Sequence, residues 1–131
     1  MQEDLQEFRR LLRCATAAID GEYFMLPVAD ADGDEPLLQY RERVYAYELY
    51  HQLRLRWPNW RYSLGGEVDK SGHPIIRDGV LKNVKPDLLS HVPGCMDYNL
   101  AVIEIKALRL APYPAEVKAI RTDLEKLIEF R

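Results

Sequence analysis

PDLLSHVPGCMDYNLAVIEIKA, residues 86–107, is the stretch that decides the fold of this chain. It contains two short apolar runs, at residues 86–92 and 99–107, the second of them rich in β-branched residues. Pro93 and Gly94 lie between the runs, and a Pro-Gly pair favours a turn. Such runs on either side of turn residues predict two neighbouring β-strands.

Each predicted strand carries an acid where its apolar neighbours favour burial. Glu104 and Lys106 are two residues apart, so they project from the same face of the second strand. A buried charge needs a partner, and a hard cation is one such partner. Mg²⁺ is held by one or two carboxylates, with water and phosphate oxygens completing its shell. Asp87 and Glu104 on adjacent strands would supply the carboxylates, and Lys106 would stand beside the metal and its water.

At these residues the sequence resembles the PD-(D/E)XK nuclease superfamily, whose pattern is Pro-Asp, a variable gap, and then Glu/Asp-x-Lys. Pro86-Asp87 and Glu104-Ile105-Lys106 match the two halves, and 16 residues separate Asp87 from Glu104. The resemblance implies an α+β fold, in which a small mixed central sheet is flanked by helices. It also implies Asp87, Glu104 and Lys106 as catalytic residues. Mg²⁺ or Mn²⁺ would be bound by Asp87, Glu104 and the carbonyl of Ile105.

Members of this superfamily often supply a further acid from the helix before the first strand. Here a helix is predicted from about residue 39 to residue 57, ending before Pro58. Its clearest apolar stripe, which would cover the sheet, contains Ala46, Leu49, Tyr50, Leu53 and Trp57. Glu48 fits the family better in its distance from the following strand, whereas Glu42 fits better in helical phase. We assign the fourth metal ligand to Glu48 and keep Glu42 and Glu67 as alternatives. His91 shares the first strand with Asp87 but is assigned no role, because a histidine bonded to the backbone at a strand end is commoner.

The rest of the sequence predicts helices and a strand whose role is to pack around the motif. Apolar residues at helical spacing predict helices over residues 3–19 and 114–131, and residues 60–68 read as a strand. Residues 20–39 are acidic and irregular, and the aspartates at 30, 32 and 34 do not complete a calcium loop because Arg41 stands at its twelfth position. We therefore predict an extension over residues 1–39 and a nuclease-like core over residues 40–131, together forming one domain. The sequence ends with the last predicted helix, so we expect the final strand of the family core to be missing.

The composition of the chain argues against several classes of protein. The chain has 131 residues, 47% of them hydrophobic, and a formal net charge of −3, which argues against a strongly basic nucleic-acid coat protein. No apolar run approaches the length that spans a membrane, and Cys14 and Cys95 do not form a disulfide framework. We expect a cytoplasmic protein with reduced thiols.

The predicted function is metal-dependent hydrolysis of phosphodiester bonds. DNA is favoured over RNA because the resembled superfamily acts mostly on DNA. Lys82 and Lys85, shortly before the motif, would contact phosphate. A homodimer is expected if both strands of a duplex are cut. The alternative is a non-catalytic module that keeps the nuclease fold and serves in nucleic-acid binding or in assembly.

Overall fold

The structure, a computed structural model, describes residues 2–28, 37–66, 86–95, 98–107 and 114–129. These residues form an α+β arrangement of helices and short antiparallel strands. In chain order the elements are helix α1 (Gln2–Ala17), a 3-10 helix (Gly21–Phe24), strands β1 (Met25–Val28) and β2 (Leu37–Tyr40), helix α2 (Glu42–Arg56), strands β3 (Ser63–Gly66), β4 (Leu88–His91) and β5 (Asn99–Ile103), and helix α3 (Pro114–Glu129).

The central sheet has the order β3-β4-β5, with both pairs antiparallel. The prediction that the two runs of residues 86–107 form neighbouring strands is confirmed. The connection between them begins with a turn in which the Cys95 amide donates to the Val92 carbonyl at 3.1 Å. Gly94 has a φ of 74° there, a conformation that glycine adopts without steric cost. Pro93 followed by Gly94 at positive φ is typical of a type II turn.

The core lies between the sheet and the first two helices. Leu64 and Leu88 on the sheet pack in one buried cluster with Leu49 and Leu53 of α2. The predicted apolar stripe of α2 is confirmed, since Ala46, Leu49 and Leu53 are its buried residues. Helix α1 contributes Leu11 and Ala15 to the same cluster.

Aromatic contacts hold the segment between α2 and β3 in place. Phe8 of α1 meets the ring of Trp57 edge-on, with ring centroids 6.2 Å apart. The Trp57 indole Nε1 donates to the Tyr62 carbonyl at 2.9 Å. A buried aromatic ring with its polar atom satisfied is a rigid packing unit. The end of α2 is therefore held against both α1 and the residue that precedes β3.

Three predicted boundaries were wrong. Residues 20–39 contain the antiparallel hairpin β1–β2 in addition to the acidic residues 29–36, which lie outside the described residues. Strand β3 begins at Ser63 rather than at Trp60, and residues 67 and 68 also lie outside the described residues. Strand β5 ends at Ile103, so Glu104 and Lys106 follow the strand instead of belonging to it.

None of the described helices combines the length and the apolar character that a membrane-crossing segment needs.

Candidate functional site

Asp87 connects the two halves of the motif. It lies one residue before β4, and the last pair of the β4–β5 ladder is Leu88 with Ile103. Asp87 and Glu104 are thus the next residues beyond the same end of the ladder. The Asp87 carboxylate Oδ2 accepts a hydrogen bond from the Ile105 amide at 2.7 Å. This bond joins the Pro-Asp half of the motif to the middle residue of Glu-x-Lys.

The residue before Asp87 explains part of its fixed position. Pro86 is among the largest fully buried side chains of the described chain. Proline fixes φ near −65°, so its buried ring restricts the direction in which the chain enters Asp87. The Asp87 side chain itself is half-buried and reaches solvent. A carboxylate at such a position can hold a backbone amide with one oxygen and a ligand with the other.

Glu104 and Lys106 form an ion pair directly after β5. The Lys106 Nζ lies 2.9 Å from the Glu104 Oε1, and the two side chains are 37% and 21% exposed. The short distance shows that both side chains lie on the same side of the segment, as their spacing predicts. A pair that is partly open to solvent is weakened by screening, so it contributes little to stability. The lysine and the glutamate are therefore held side by side at a position that both share with solvent.

A third carboxylate comes from the first residue of α2. The Glu42 Oε1 accepts a hydrogen bond from the Ala107 amide at 2.7 Å. Asp87 and Glu42 thus bind alternate amides, at residues 105 and 107, of one short segment. The segment that carries Glu104 and Lys106 is held from β4 at one amide and from α2 at the other.

A cavity of about 450 Å³ opens between the start of α2 and the end of the sheet where Asp87 lies. Its volume falls within the range of small-molecule and cofactor sites. Two carboxylates and one guanidinium contribute to its wall. The described residues that line it are Glu42, Arg43, Ala46, Tyr47, Tyr50, Gly66, Asp87 and Leu88.

A second cavity of about 340 Å³ lies on the other side of Glu42 and includes Lys106. Glu42 lines both cavities, so the acid of α2 is common to the cavity of Asp87 and the cavity of the lysine. Among the described residues that line these cavities, Glu104 does not occur. The geometry therefore brings Asp87 and Glu42 to one cavity, while Glu104 pairs with Lys106, which lines the other.

A divalent cation of the Mg²⁺ type needs oxygen ligands from the protein. Across the ranges that the structure describes, no group of three His, Cys, Asp or Glu side chains is placed to hold a metal ion. Two carboxylates on one open cavity nevertheless fit Mg²⁺, which keeps several waters and takes further oxygens from phosphate. Asp87 and Glu42 meet this smaller requirement.

The other predicted residues lie elsewhere. Glu48 accepts a hydrogen bond from the Gln52 side chain at 2.7 Å, one turn further along α2, and does not line either cavity. His91 ends β4 while Asp87 precedes its start, so the length of the strand separates them. Glu67, Lys82 and Lys85 lie outside the described residues.

Sequence reasoning did not single out the aromatic wall of the larger cavity. Arg43, Tyr47 and Tyr50 all come from α2, at spacings of four and three residues that place them along one side of the helix. The sequence did carry a signal, because this helix is rich in tyrosine. An interpretation of the helix as amphipathic attributes those tyrosines to packing.

We expect Glu42→Ala to lower the free energy of unfolding by about 1 kcal/mol, because the Ala107 amide loses its acceptor and the helix start loses a negative charge. Glu42→Gln keeps an oxygen acceptor and should recover most of this loss. Urea unfolding followed by circular dichroism measures both. The matched control is Glu3→Ala, which removes an exposed acid from the first turn of α1. A loss as large in the control would show that the Ala107 bond is not the cause.

Comparison of the chain with protein-family models, with curated proteins and with solved structures gives no match in any of the three. The function proposed below consequently depends on the residues and the geometry described above.

Proposed function

We propose that this chain is a metal-dependent nuclease of the PD-(D/E)XK type, with a restriction-endonuclease-like core and DNA as its favoured substrate. The observation that carries the proposal is the 2.7 Å bond from the Ile105 amide to the Asp87 carboxylate. It brings together the two halves of the motif, which are 18 residues apart in the chain and which the proposed chemistry needs side by side.

In this proposal the carboxylates of Asp87 and Glu42 would hold Mg²⁺ or Mn²⁺ at the larger cavity, which both residues line. Glu104 and the carbonyl of Ile105, the other ligands that the resemblance implies, would complete the set from the segment that Asp87 and Glu42 hold at the Ile105 and Ala107 amides. The helix acid is Glu42 rather than Glu48, because Glu42 shares the larger cavity with Asp87. A bound divalent ion would polarise the scissile phosphate and lower the pKa of a coordinated water. Because carboxylates repel phosphate, their role would be to fix the position of the ion.

Lys106 is the second catalytic group of the proposal, and it acts on the water or on the phosphate. Its ammonium lies 2.9 Å from the Glu104 carboxylate and lines the cavity adjacent to Glu42. From there it donates hydrogen bonds to the attacking water or to the phosphate oxygen on which negative charge develops. The ion pair with Glu104 fixes the position of the lysine ammonium beside that acid.

The test is nicking of supercoiled DNA by the purified chain with Mg²⁺, with Mn²⁺ and with EDTA. We expect cleavage with either metal and none with EDTA. Glu104→Gln keeps an oxygen acceptor for Lys106 but removes a charge from the metal site. It should lower the rate by at least roughly 100-fold, since each lost 1.4 kcal/mol of transition-state stabilisation is a factor of ten.

Glu7→Gln is the matched control for this experiment. Glu7 also pairs with a cation, with its Oε1 2.6 Å from Arg10, but it lies on the exposed side of α1. Its activity should equal that of the wild type. Activity that persists in EDTA, or that is the same in Glu104→Gln and the wild type, would overturn the proposal.

A specific observation favours the non-catalytic alternative. Asp87, Glu42 and Glu104 each have a partner within the chain, and those contacts alone would explain why an acid stands at each position. In that case the fold would serve as a nucleic-acid-binding or assembly module. Salt-dependent DNA binding without cleavage in any divalent metal would favour the binding module. A stable dimer with no affinity for nucleic acid would favour assembly.

A further inference from the structure

The larger cavity has two chemically different ends. Glu42 and Asp87 supply carboxylates at one end, where α2 begins and the sheet stops. Tyr47 and Tyr50 lie further along α2 and supply aromatic rings to the same wall. The acids suit a divalent cation, which itself takes phosphate oxygens as ligands, while the rings suit a flat apolar group.

Tyr47 is the most informative of these residues. It is 61% exposed, although it lines a concave site and comes from a helix whose other face is buried in the core. Arg43 is four residues earlier, one turn nearer to the acids. An exposed aromatic ring beside a guanidinium is a platform on which a nucleobase stacks, with the cation near its phosphate.

Gly66 lines the same cavity without a side chain. A Cβ placed there would come no closer than 3.7 Å to the Asp87 carbonyl and 3.8 Å to Leu88, so crowding does not require glycine at this position. A large side chain at residue 66 would take up space that a ligand can use.

We infer that this cavity receives one unpaired nucleotide, whose base stacks on Tyr47 while its phosphate lies toward Arg43, one turn nearer to the acids. The inference rests on the proposed nuclease function and names its substrate class. A base inside a duplex is stacked between its neighbours and cannot offer a face to Tyr47, so the substrate must be single-stranded, frayed or flipped at that position. The chain accordingly prefers single-stranded nucleic acid or strand ends over continuous duplex.

The test measures binding and cleavage separately. A labelled single-stranded oligonucleotide and a duplex of the same sequence are titrated with the protein in EDTA at one fixed salt concentration, and affinity is read by fluorescence anisotropy. We expect tighter binding of the single strand. Tyr47→Ala should weaken that binding by roughly 5- to 150-fold, the range for loss of one base-aromatic stack. Tyr47→Phe keeps the ring and should bind like the wild type.

Tyr23→Ala is the control for loss of an exposed tyrosine. Tyr23 is 58% exposed on the 3-10 helix and lines neither of the two cavities. Equal affinity of the wild type for single strand and duplex, or an unchanged affinity in Tyr47→Ala, overturns the inference. Equal weakening by Tyr23→Ala also overturns it, because the effect would then not belong to the cavity.

Cleavage in Mn²⁺ distinguishes this failure from failure of the proposed function. If DNA is cut but Tyr47→Ala has no effect on binding or on the choice between single strand and duplex, the nuclease proposal stands and the stacking inference falls. If nothing is cut in any metal while Tyr47→Ala still weakens single-strand binding, the nuclease proposal falls and the cavity is a binding site only.

Discussion

Asp87→Asn should abolish metal-dependent cleavage while leaving the stability of the chain almost unchanged. In the wild type the Ile105 amide lies 2.7 Å from the Asp87 carboxylate oxygen. Asparagine keeps a side-chain oxygen that can accept this hydrogen bond. It removes the negative charge that a divalent cation requires. We expect the rate of DNA nicking to fall by at least roughly 100-fold and the urea midpoint to stay near that of the wild type.

Asp87→Ala separates the structural contribution from the chemical one. It removes the charge and the acceptor together, so cleavage is lost and the free energy of unfolding falls by about 1–3 kcal/mol. Asp20→Asn is the matched control, because the Asp20 Oδ1 likewise accepts a backbone amide, that of Glu22, at 3.1 Å. It should retain full activity. Full activity in Asp87→Asn would show that Asp87 serves only to hold the backbone.

The largest effect on stability is expected at Leu53. This residue is 0% exposed and belongs to the cluster that joins α1, α2 and the sheet. Leu53→Ala leaves a cavity among residues from all three, and we expect a loss of about 2–5 kcal/mol in the free energy of unfolding. Urea unfolding monitored by circular dichroism and by tryptophan fluorescence measures it.

Leu55→Ala is the control in the same helix. Leu55 is two residues away and 66% exposed, so the same chemical change should alter stability by no more than about 0.5 kcal/mol. A similar loss in both variants would mean that burial in the core between α2 and the sheet does not determine the effect, since alanine is no worse a helix former than leucine.

The sequence predicted the elements that have a strong periodic signal. The buried stripe of α2 and the pairing of the two apolar runs around Gly94 follow from helical spacing and from turn chemistry. The β1–β2 hairpin was missed because each strand has only four residues and β1 contains Pro27, while the acidic connection between them dominates the composition. Short strands with a proline give little pattern to read.

The candidate site was predictable in part, for a similar reason. A motif specifies which residues matter, but the geometry of Glu42 depends on where α2 meets the segment after β5. Helical phase favoured Glu42 and distance along the chain favoured Glu48, and the structure brings Glu42 to the cavity with Asp87. The hydrogen bonds from the Ile105 and Ala107 amides to Asp87 and Glu42 involve backbone groups, which carry no sequence signal at all.

The place of Asp87 in the β4–β5 hairpin has a consequence for motion. The Val92–Cys95 turn closes one end of the hairpin, and the bond between Asp87 and Ile105 lies at the other, open end. Ladder ends fray more readily than ladder centres, and they do so without global unfolding. The Ile105 amide should consequently exchange its hydrogen with solvent faster than the amides of Leu89 and Val102 in the middle of the ladder. The two halves of the motif would separate and rejoin many times while the leucine core stays intact.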